Sequence, residues 1–300
     1  FWGNSAEMAK IKKIVEQVAP TDANILITGE NGTGKEVMAR EIHAISMRHR
    51  NKMVSIDMGA IPETLFESEL FGHKKGAFTD ATADRQGKME QANGSTLFLD
   101  EIGNLPLHLQ SKLLVAIQSR TITPLGASKS LNIDIRLISA TNRNLFEMVE
   151  HGEFRQDLLF RISTIIMHLP PLRSRVEDII PLAEIFLKHY SEKYGRDIDG
   201  ITSKATEQMI AYQWNGNIRE LQNTMEKAVI LCDERMIQPQ HLQLQSYTST
   251  VSQPITTLED LERKTIADAI HTCNGNLSVV AQKLGITRQT LYNKIKRYGL

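Results

Sequence analysis

Residues 29–36 form a glycine-rich loop of the kind that binds phosphate groups. In order they are Gly29, Glu30, Asn31, Gly32, Thr33, Gly34, Lys35 and Glu36. The first seven fit the pattern G-x-x-x-x-G-K, in which glycines let backbone N–H groups converge on phosphate oxygens. A helix that begins at Lys35 would add partial positive charge, and the lysine would bridge the terminal phosphates. The loop therefore predicts a binding site for ATP or GTP.

Two carboxylates follow an apolar run at residues 96–99. Beside a phosphate-binding loop, Asp100 is suited to hold a magnesium ion, and Glu101 is suited to polarise an attacking water as a general base. By itself the pair could be the solvated end of a strand with two ordinary acids. Together with the glycine-rich loop, it predicts hydrolysis of the nucleotide and not binding alone.

Strands that alternate with helices are predicted to position these groups. Short apolar runs typical of strands occupy residues 25–28, 53–58, 96–99, 135–140 and 163–169. Amphipathic segments typical of helices separate most of them, for example at 35–47 and 107–119. Continuous apolar strands separated by helices predict an α/β fold with a parallel sheet covered on both faces.

After Pro170-Pro171 the pattern changes to helices alone. The segments with helical periodicity are 176–194, 202–213, 218–232, 258–272, 277–284 and 288–297. Between the third and fourth of them, an uncharged stretch rich in Ser and Thr has the composition of a linker. The predicted organisation is an α/β domain at 1–171, a helical domain at 172–245, a linker at 246–257 and an all-α domain at 258–300.

The composition is typical of a soluble protein: of 300 residues, 41% are hydrophobic and 23% charged, and the formal net charge is zero. Binding of nucleic acid would therefore depend on local clusters of basic side chains. No apolar run approaches the roughly 18 residues of a membrane span, so no membrane partner is expected. Cys232 and Cys273 lack a C-x-x-C partner, and we expect reduced, cytosolic thiols. The chain begins with Phe1 and not with Met, so we expect it to be part of a longer protein.

The last segments have the pattern of a helix-turn-helix. Gly285 lies in a short turn, Thr287 can cap the helix that follows, and residues 283–300 carry five basic side chains and no acid. This pattern is typical of a recognition helix in the major groove, although a small bundle with a solvated basic face would share it. The candidate DNA-binding residues are Arg288, Gln289, Thr290, Asn293, Lys294, Lys296 and Arg297. Arg, Gln and Asn suit base edges, whereas lysines more often contact phosphates.

Motifs over almost the whole chain resemble those of the bacterial enhancer-binding proteins, the NtrC-like AAA+ activators of sigma-54 RNA polymerase. They are GENGTGKE (29–36), ESELFGHKKGAFTDA (67–81), TLFLDEI (96–102), ATNRNL (140–145), FRQDLLFRI (154–162), PPLRSR (170–175) and WNGNIRELQN (214–223). The resemblance implies an AAA+ P-loop ATPase with a helical lid subdomain and a C-terminal Fis-like helix-turn-helix domain that dimerises. It also implies ATP and Mg²⁺ as ligands, and in that family a Glu such as Glu36 is usual after the lysine.

One stretch resembles the GAFTGA loop with which these activators contact sigma-54. Its residues are Gly76, Ala77, Phe78, Thr79, Asp80 and Ala81. A glycine hinge with an aromatic ring and a hydroxyl at its tip suits a mobile contact, whereas an ordinary turn with a buried Phe would share the pattern. Asp80 stands where the family has Gly, and it adds a side chain and a negative charge to the tip. Residues 125–132 look like the second surface loop of these activators.

Asp57 is a second departure from the family, which usually has an Asn there that holds the catalytic glutamate inactive until the target engages. An Asp cannot donate an amide hydrogen bond to Glu101. Two close carboxylates would repel each other or share a proton, which raises the pKa of one of them. We therefore expect the basal ATPase activity of this chain to be controlled differently.

Four further residues take roles by resemblance. Asn142 resembles the sensor of the γ-phosphate, and Arg219 resembles the sensor arginine of the lid. Arg155 and Arg161 resemble arginine fingers, which reach the nucleotide of the neighbouring subunit and stabilise charge in the transition state. For any single arginine, a surface ion pair is the alternative. Fingers that act between subunits imply a ring, which in this family is hexameric or heptameric.

The resemblance implies a cytoplasmic, ATP-driven transcriptional activator that binds enhancer DNA and remodels the sigma-54 RNA polymerase holoenzyme. The alternative is a AAA+ DNA-binding regulator or repressor without productive sigma-54 contact, for which Asp80 and Asp57 are the only support. A AAA+ chaperone or protease-loading ATPase fits less well, because those families lack GAFTGA-like loops combined with this C-terminal domain. Such activators usually carry a receiver or ligand-sensing domain before the ATPase.

Overall fold

The computed structural model describes residues 2–78, 81–244, 262–263, 265–267, 269–270 and 277–298. The chain divides into two compact units, residues 1–244 and 245–300. The predicted linker at 246–257, most of the predicted helix at 258–272, the loop residues Thr79 and Asp80, and Cys273 lie outside the described residues.

The strands of the larger unit are short, and five of them form one sheet. In chain order they are β1 Ile25–Thr28, β2 Val54–Asp57, β3 Gly72–His73, β4 Arg85–Gln86, β5 Thr96–Asp100, β6 Thr121–Ile122, β7 Leu131–Asn132, β8 Arg136–Thr141, β9 Ile165–His168, β10 Gly200–Ile201 and β11 Met236–Ile237. The five-stranded sheet has the order β2-β5-β8-β1-β9, and all of its pairs are parallel. The carboxyl ends of its strands therefore meet at one edge.

Helices accompany this sheet along the described part of the α/β domain. They are α1 Ala6–Val18, α2 Lys35–Ala44, α3 Phe66–Phe71, α4 Lys88–Gln91, α5 Leu107–Ser119, α6 Leu145–Glu150 and α7 Gln156–Ile162. Alternate strand residues enter different cores: Leu97 and Leu99 of β5 pack in the cluster that includes α5 and α7, whereas Phe98 packs in the cluster that includes α1 and α2. The three central strands β1, β5 and β8 are therefore buried along nearly their whole length, as expected of a parallel sheet covered on both faces, whereas the edge strands β2 and β9 expose alternate residues.

A small helical domain follows the sheet, as predicted. It contains α8 Ile179–Tyr194, α9 Ser203–Ala211, α10 Asn217–Leu231 and α11 Pro239–Leu242, and β10 pairs with β11 beside them. The side chain of Trp214 is fully buried at its centre, and its indole N–H donates to the Met209 carbonyl at 2.8 Å. Cys232 is a buried free thiol in the same core.

The N-terminus is tied to the start of this helical domain by a buried carboxylate. Asp178 accepts hydrogen bonds from the backbone N–H groups of Asn4 at 2.5 Å and Ser5 at 2.8 Å, and from the Ser5 hydroxyl at 2.7 Å. Its side chain is fully buried, which is tolerable because all three partners satisfy the charge. The first helix is thereby anchored to the lid, a connection that no local sequence pattern predicts.

The smaller unit contains α12 Leu277–Lys283 and α13 Arg288–Tyr298. Its core comprises Ile266, Ala269, Val280, Ala281 and Leu291. The Thr287 hydroxyl accepts from the backbone N–H of Thr290 at 3.1 Å, which makes Thr287 the predicted N-cap of α13. Throughout the described residues, no helix is both long and apolar enough to cross a bilayer.

Most predicted elements are present, and the differences lie at their ends. The helix predicted at 35–47 stops at Ala44, because the chain turns at Ile45 and Ser46. The Ser46 hydroxyl donates to the His43 carbonyl at 2.7 Å and stabilises this turn. Helix α1 was not predicted. The antiparallel pairs β3–β4 and β6–β7 were not predicted either, because two-residue strands carry too little pattern to recognise.

Candidate functional site

A cavity of about 910 Å³ lies at the carboxyl edge of the sheet, between the glycine-rich loop and the helical domain. Its lining brings together residues of six separate sequence segments, including Lys35, Asp100, Glu101, Asn142 and Arg219. Asn31, Gly32, Gly34 and Glu36 of the loop also line it. The cavity therefore unites most of the residues that the sequence predicts to bind and hydrolyse a nucleotide.

The glycine-rich loop is shaped by left-handed backbone at Gly32 and Gly34, with φ of 79° and 101°. Such angles favour glycine, because a side chain would be strained there. Helix α2 begins at Lys35, so its unpaired N–H groups face the cavity. The Lys35 ammonium donates to the carbonyls of Gly29 at 3.1 Å and Glu30 at 3.3 Å. Thr33 is buried, and its hydroxyl donates to the Glu30 carbonyl at 2.8 Å, so the loop is braced from within.

The acids after β5 lie opposite the lysine. One carboxylate oxygen of Glu101 is 3.4 Å from the Lys35 ammonium, and the other accepts from the backbone N–H of Asn142 at 3.2 Å. Glu101 has φ of 52°, a left-handed conformation that costs about 1–3 kcal/mol in a residue other than glycine. The strained turn directs the Glu101 carboxylate into the cavity. One of its oxygens contacts the Lys35 ammonium, and the other contacts Asn142 at the end of β8.

Burial is the largest of several influences that raise the pKa of Asp100. The negative charges of Glu101 and Asp57 raise it further, while Lys35 and the Glu101 N–H, which donates to Asp100 at 3.0 Å, oppose them. Asp57 is paired in register with Asp100, and its own carboxylate accepts from the Gly59 N–H at 2.7 Å. The negative charge of Asp57 therefore raises the pKa of Asp100.

This set of groups fits a divalent cation. Three carboxylates, those of Asp57, Asp100 and Glu101, line one end of the cavity and face one nearby ammonium, that of Lys35. A cation would neutralise the negative charge of Glu101 and Asp57, which together with burial raises the pKa of Asp100. Magnesium sites in nucleotide-binding proteins use one or two carboxylates and complete their coordination with water and phosphate oxygens. Asp100, which the sequence predicts to hold the ion, is one of these three carboxylates.

Several cavity residues were not predicted. Asn104 and Arg143 line the side near Glu101, and Arg143 donates to the Gly103 carbonyl at 3.0 Å. Leu182, Ile185 and Phe186 of α8 form an apolar wall with Ile218. Ile185 is 56% exposed, which is unusual for a large apolar residue but reasonable for a wall that faces a ligand. A helix pattern cannot distinguish such an apolar face from one buried in a core.

The two arginines predicted as fingers do not line this cavity. Arg155 is exposed and pairs with Asp157, with guanidinium-to-carboxylate distances of 3.0 and 2.7 Å. Arg161 is exposed beside Asn24, at the amino end of β1, and so lies at the opposite edge of the sheet from the glycine-rich loop. Neither side chain is placed to act on a nucleotide bound by its own chain.

The described residues of the 76–81 segment, Gly76 to Phe78 and Ala81, lie in the connection between β3 and β4. Its base is closed by hydrogen bonds from the Gly76 N–H to the Ala81 carbonyl at 2.8 Å and from the Ala81 N–H to the Phe78 carbonyl at 3.0 Å. Phe78 is 38% exposed, so the predicted tip aromatic is accessible and not buried in a turn. Its ring meets that of His73 edge-on at 4.9 Å. Gly126 of the second loop packs against Ala77, which joins the two predicted surface loops at their bases.

Helix α13 presents a polar and basic face. Arg288, Gln289, Asn293, Lys296 and Arg297 are exposed, whereas Thr290 and Lys294 are half-buried. The Lys294 ammonium lies 2.5 Å from the Glu262 carboxylate, which also accepts from the Tyr298 hydroxyl at 2.6 Å. Lys294 thus joins two helices of this unit. Tyr292 is 47% exposed on the same face and was not predicted as a contact residue.

Three family models together match nearly all of the chain. Residues 1–168 match the sigma-54 interaction domain, residues 173–257 the AAA+ ATPase lid domain, and residues 257–298 the Fis family of bacterial regulatory proteins. The order of these matches is the order of the sheet domain, the helical domain and the helix-turn-helix.

Curated relatives share this arrangement. The chain is 46% identical to the alginate biosynthesis transcriptional regulatory protein AlgB of Pseudomonas aeruginosa, over 99% of this chain and 67% of AlgB. It is 44% identical to the transcriptional regulatory protein ZraR of Klebsiella oxytoca, over 98% of this chain and 68% of ZraR. Among solved structures, NtrX of Brucella abortus in complex with ADP superposes with a TM-score of 0.76 at 31% identity, over 100% of this chain and 70% of NtrX.

Asp57→Asn tests how the carboxylate beside the site affects hydrolysis. An amide at this position could donate to the Glu101 carboxylate and withdraw it from water, so the basal rate of ATP hydrolysis should fall. One added hydrogen bond to a charged group corresponds to about tenfold in rate. Steady-state phosphate release at saturating ATP measures the effect, and identical basal rates in the two proteins would remove the hypothesis.

Proposed function

The chain belongs to the sigma-54-interacting AAA+ transcriptional regulators that end in a Fis-type DNA-binding domain, and from this premise we propose that it hydrolyses ATP to remodel sigma-54 RNA polymerase holoenzyme. The observation that carries the proposal is the convergence of Lys35, Asp100, Glu101 and Asn142 in one cavity under the helical domain. NtrX, a relative of similar architecture, has been crystallised with ADP, which supports a nucleotide as the ligand here.

Each group of cavity residues has a separate role in the proposed hydrolysis. Residues 29–36 cradle the phosphates, with backbone N–H groups and the Lys35 ammonium opposing their charge. Glu101 accepts the proton of the attacking water, and Asn142 holds that carboxylate while facing the terminal phosphate. Asp100 would hold Mg²⁺, which would supply positive charge to neutralise that of the phosphates. Arg219 and the apolar wall from α8 close the site from the lid.

Arg155 and Arg161 act on the nucleotide of a neighbouring copy in a ring of six or seven. Support comes from their exposure and from the finding that neither arginine lines the cavity of its own chain. Arginines supplied by a second subunit stabilise the charge that develops during phosphoryl transfer. In this scheme hydrolysis depends on assembly of the ring, so activity rises with protein concentration.

Residues 76–81 contact sigma-54. The described part of the loop offers the exposed ring of Phe78 next to the hinge at Gly76, whose φ is 82°. Thr79 and Asp80 complete the proposed contact but lie outside the described residues. The alternative, a regulator without sigma-54 contact, is not favoured, because the match to the sigma-54 interaction domain covers residues 1–168.

The domain at 258–300 binds enhancer DNA as a dimer through α13, with residues 246–257 as the linker to the ATPase. Residues 1–171 and 172–245 are the α/β and lid subdomains of that ATPase. Arg288, Gln289 and Asn293 suit base edges, and Lys296 and Arg297 suit phosphates. Because the polymerase and its promoter DNA are cytoplasmic in bacteria, we place the protein in the cytoplasm.

Glu101→Gln separates nucleotide binding from hydrolysis. The amide keeps the size of the side chain but cannot accept a proton from water, so hydrolysis should fall at least about 100-fold. Binding of a fluorescent ATP analogue should remain within a few-fold of wild type. Lys35→Ala, in contrast, should lose binding, and Glu16→Gln on the exposed side of α1 should change neither. Wild-type hydrolysis by Glu101→Gln would contradict the assignment of the general base.

Two substitutions on α13 separate readout of bases from contact with phosphates. Gln289→Ala should relax sequence preference by about 1–3 kcal/mol at one position of a site selected from random duplexes. Lys296→Ala should weaken binding to all duplexes alike. It should also reduce the slope of the logarithm of the binding constant against the logarithm of salt concentration by about 1. Lys204→Ala, an exposed lysine of the lid, is the charge-matched control. Fluorescence anisotropy at several salt concentrations measures both effects, and unchanged binding by both variants would exclude α13 as the recognition helix.

A further inference from the structure

The lid holds the glycine-rich loop directly through the turn that opens α10. Asn217 is fully buried and uses both ends of its amide. Its amide nitrogen donates to the Glu30 carboxylate at 3.1 Å and to the Asn31 carbonyl at 2.9 Å, while its oxygen accepts from the Leu172 N–H at 2.8 Å. One side chain therefore joins the loop, the start of the lid and the first turn of α10.

Backbone contacts reinforce this connection. The N–H of Ile218 donates to the Gly32 carbonyl at 2.9 Å. A Cβ placed on Gly32 would lie 2.2 Å from the Gly216 carbonyl oxygen, so the two backbones meet where no side chain fits. Asn217 itself has φ of 54°, a left-handed conformation that Asn adopts more readily than most residues. The approach of the two segments is thus close and locally strained, and the amide hydrogen bonds stabilise it.

An ion pair supports the same contact from outside. Arg173, at the start of the lid, donates to the Glu30 carboxylate from its two terminal guanidinium nitrogens, one of them at 2.8 Å. Hydrogen bonds from Arg173 and then Asn217 lower the pKa of Glu30 to about 2, against the opposing effect of burial. Glu30 is therefore ionised at neutral pH and is shared between Arg173 and Asn217.

The clasp formed by Glu30, Arg173 and Asn217 lies next to groups that face the cavity. The Glu30 carbonyl accepts from the Lys35 ammonium, and Arg219 follows Asn217 by two residues on α10. Displacing Asn217 would therefore move the phosphate cradle and the lid arginine together. The three clasp residues themselves do not line the cavity, so their effect must pass through the groups they hold.

We propose that Asn217 is a positioning residue for ATP turnover, which fixes the glycine-rich loop against the lid with the help of Glu30 and Arg173. This inference rests on the proposed function. It assigns to Asn217 the binding of substrate and not the chemical step, because the cradle and Arg219 contact ATP whereas Glu101 activates water. Loss of the clasp should raise KM for ATP much more than it lowers kcat.

Asn217→Asp tests the proposal with a nearly isosteric change. The new carboxylate still accepts from the Leu172 N–H, but it cannot donate to Glu30 and lies against that carboxylate and the Asn31 carbonyl. KM for ATP should rise about tenfold and kcat should stay within about threefold of wild type. Asn215→Asp is the matched control, because Asn215 is exposed two residues away and receives the same added charge. Its KM should remain within about twofold of wild type.

The double variant Asn217→Asp/Glu30→Gln tests whether the effect depends on the contact between positions 217 and 30. It exchanges the amide and the carboxylate between the two positions and keeps the charge of the clasp. The amide introduced at position 30 can donate to the carboxylate introduced at position 217, and Arg173 retains an acidic partner. KM should recover at least partly toward the wild-type value. Circular dichroism and thermal denaturation of each variant of the 300-residue chain show whether it is folded.

Three results overturn the inference. In the first, Asn217→Asp raises KM no more than Asn215→Asp; in the second, the double variant is no better than Asn217→Asp; in the third, thermal stability falls while KM stays at the wild-type value. In each of these the wild-type chain hydrolyses ATP, and the proposed function stands. A wild-type chain that neither binds nor hydrolyses ATP contradicts the proposed function and this inference with it.

Discussion

The parallel alignment of β1, β5 and β8 is the constraint on which the site depends. Parallel pairing brings the carboxyl ends of the strands to one edge, so the glycine-rich loop after β1, the acids after β5 and Asn142 after β8 become neighbours. The alignment requires burial of both faces, which the alternating side chains of β5 achieve by entering two different cores. Each fully buried side chain of that size contributes about 1.5–3 kcal/mol, and this burial offsets the strained and charged groups at the edge.

Charge at that edge is unbalanced. Lys35 contacts Glu101, while Asp100 is buried and lies near two further carboxylates, and its pKa is raised as a result. Such an arrangement destabilises the protein alone and favours binding of cations and of phosphates that bring cations with them. Glu101 adds backbone strain at the same edge, because its left-handed conformation places the carboxylate against Lys35 and the Asn142 N–H at the end of β8. The buried cores stabilise the fold, whereas the carboxyl edge of the sheet carries the charged groups that favour ligand binding.

How far the sequence predicts this molecule depends on the range of each interaction. The sheet, the lid helices and the groups of the cavity were predictable, because strand runs and the P-loop pattern are local and parallel pairing places their ends together. Asn217, Arg173 and Asp178 act across more than a hundred residues, and no spacing indicates their partners. The ends of helices, such as that of α2 at Ala44, depend on single side-chain hydrogen bonds. The roles assigned to the individual site residues remain predictions.

If nucleotide chemistry in the cavity drives contact with sigma-54, the chain should form a stable complex with sigma-54 when the transition state of hydrolysis is mimicked. The chain is mixed with purified sigma-54, ADP, Mg²⁺ and aluminium fluoride, and complex formation is followed by size-exclusion chromatography. We expect a stable complex with ADP and aluminium fluoride together, and none with ADP alone or with Phe78→Ala. Absence of the complex, under conditions where the chain binds ADP and aluminium fluoride, would contradict it.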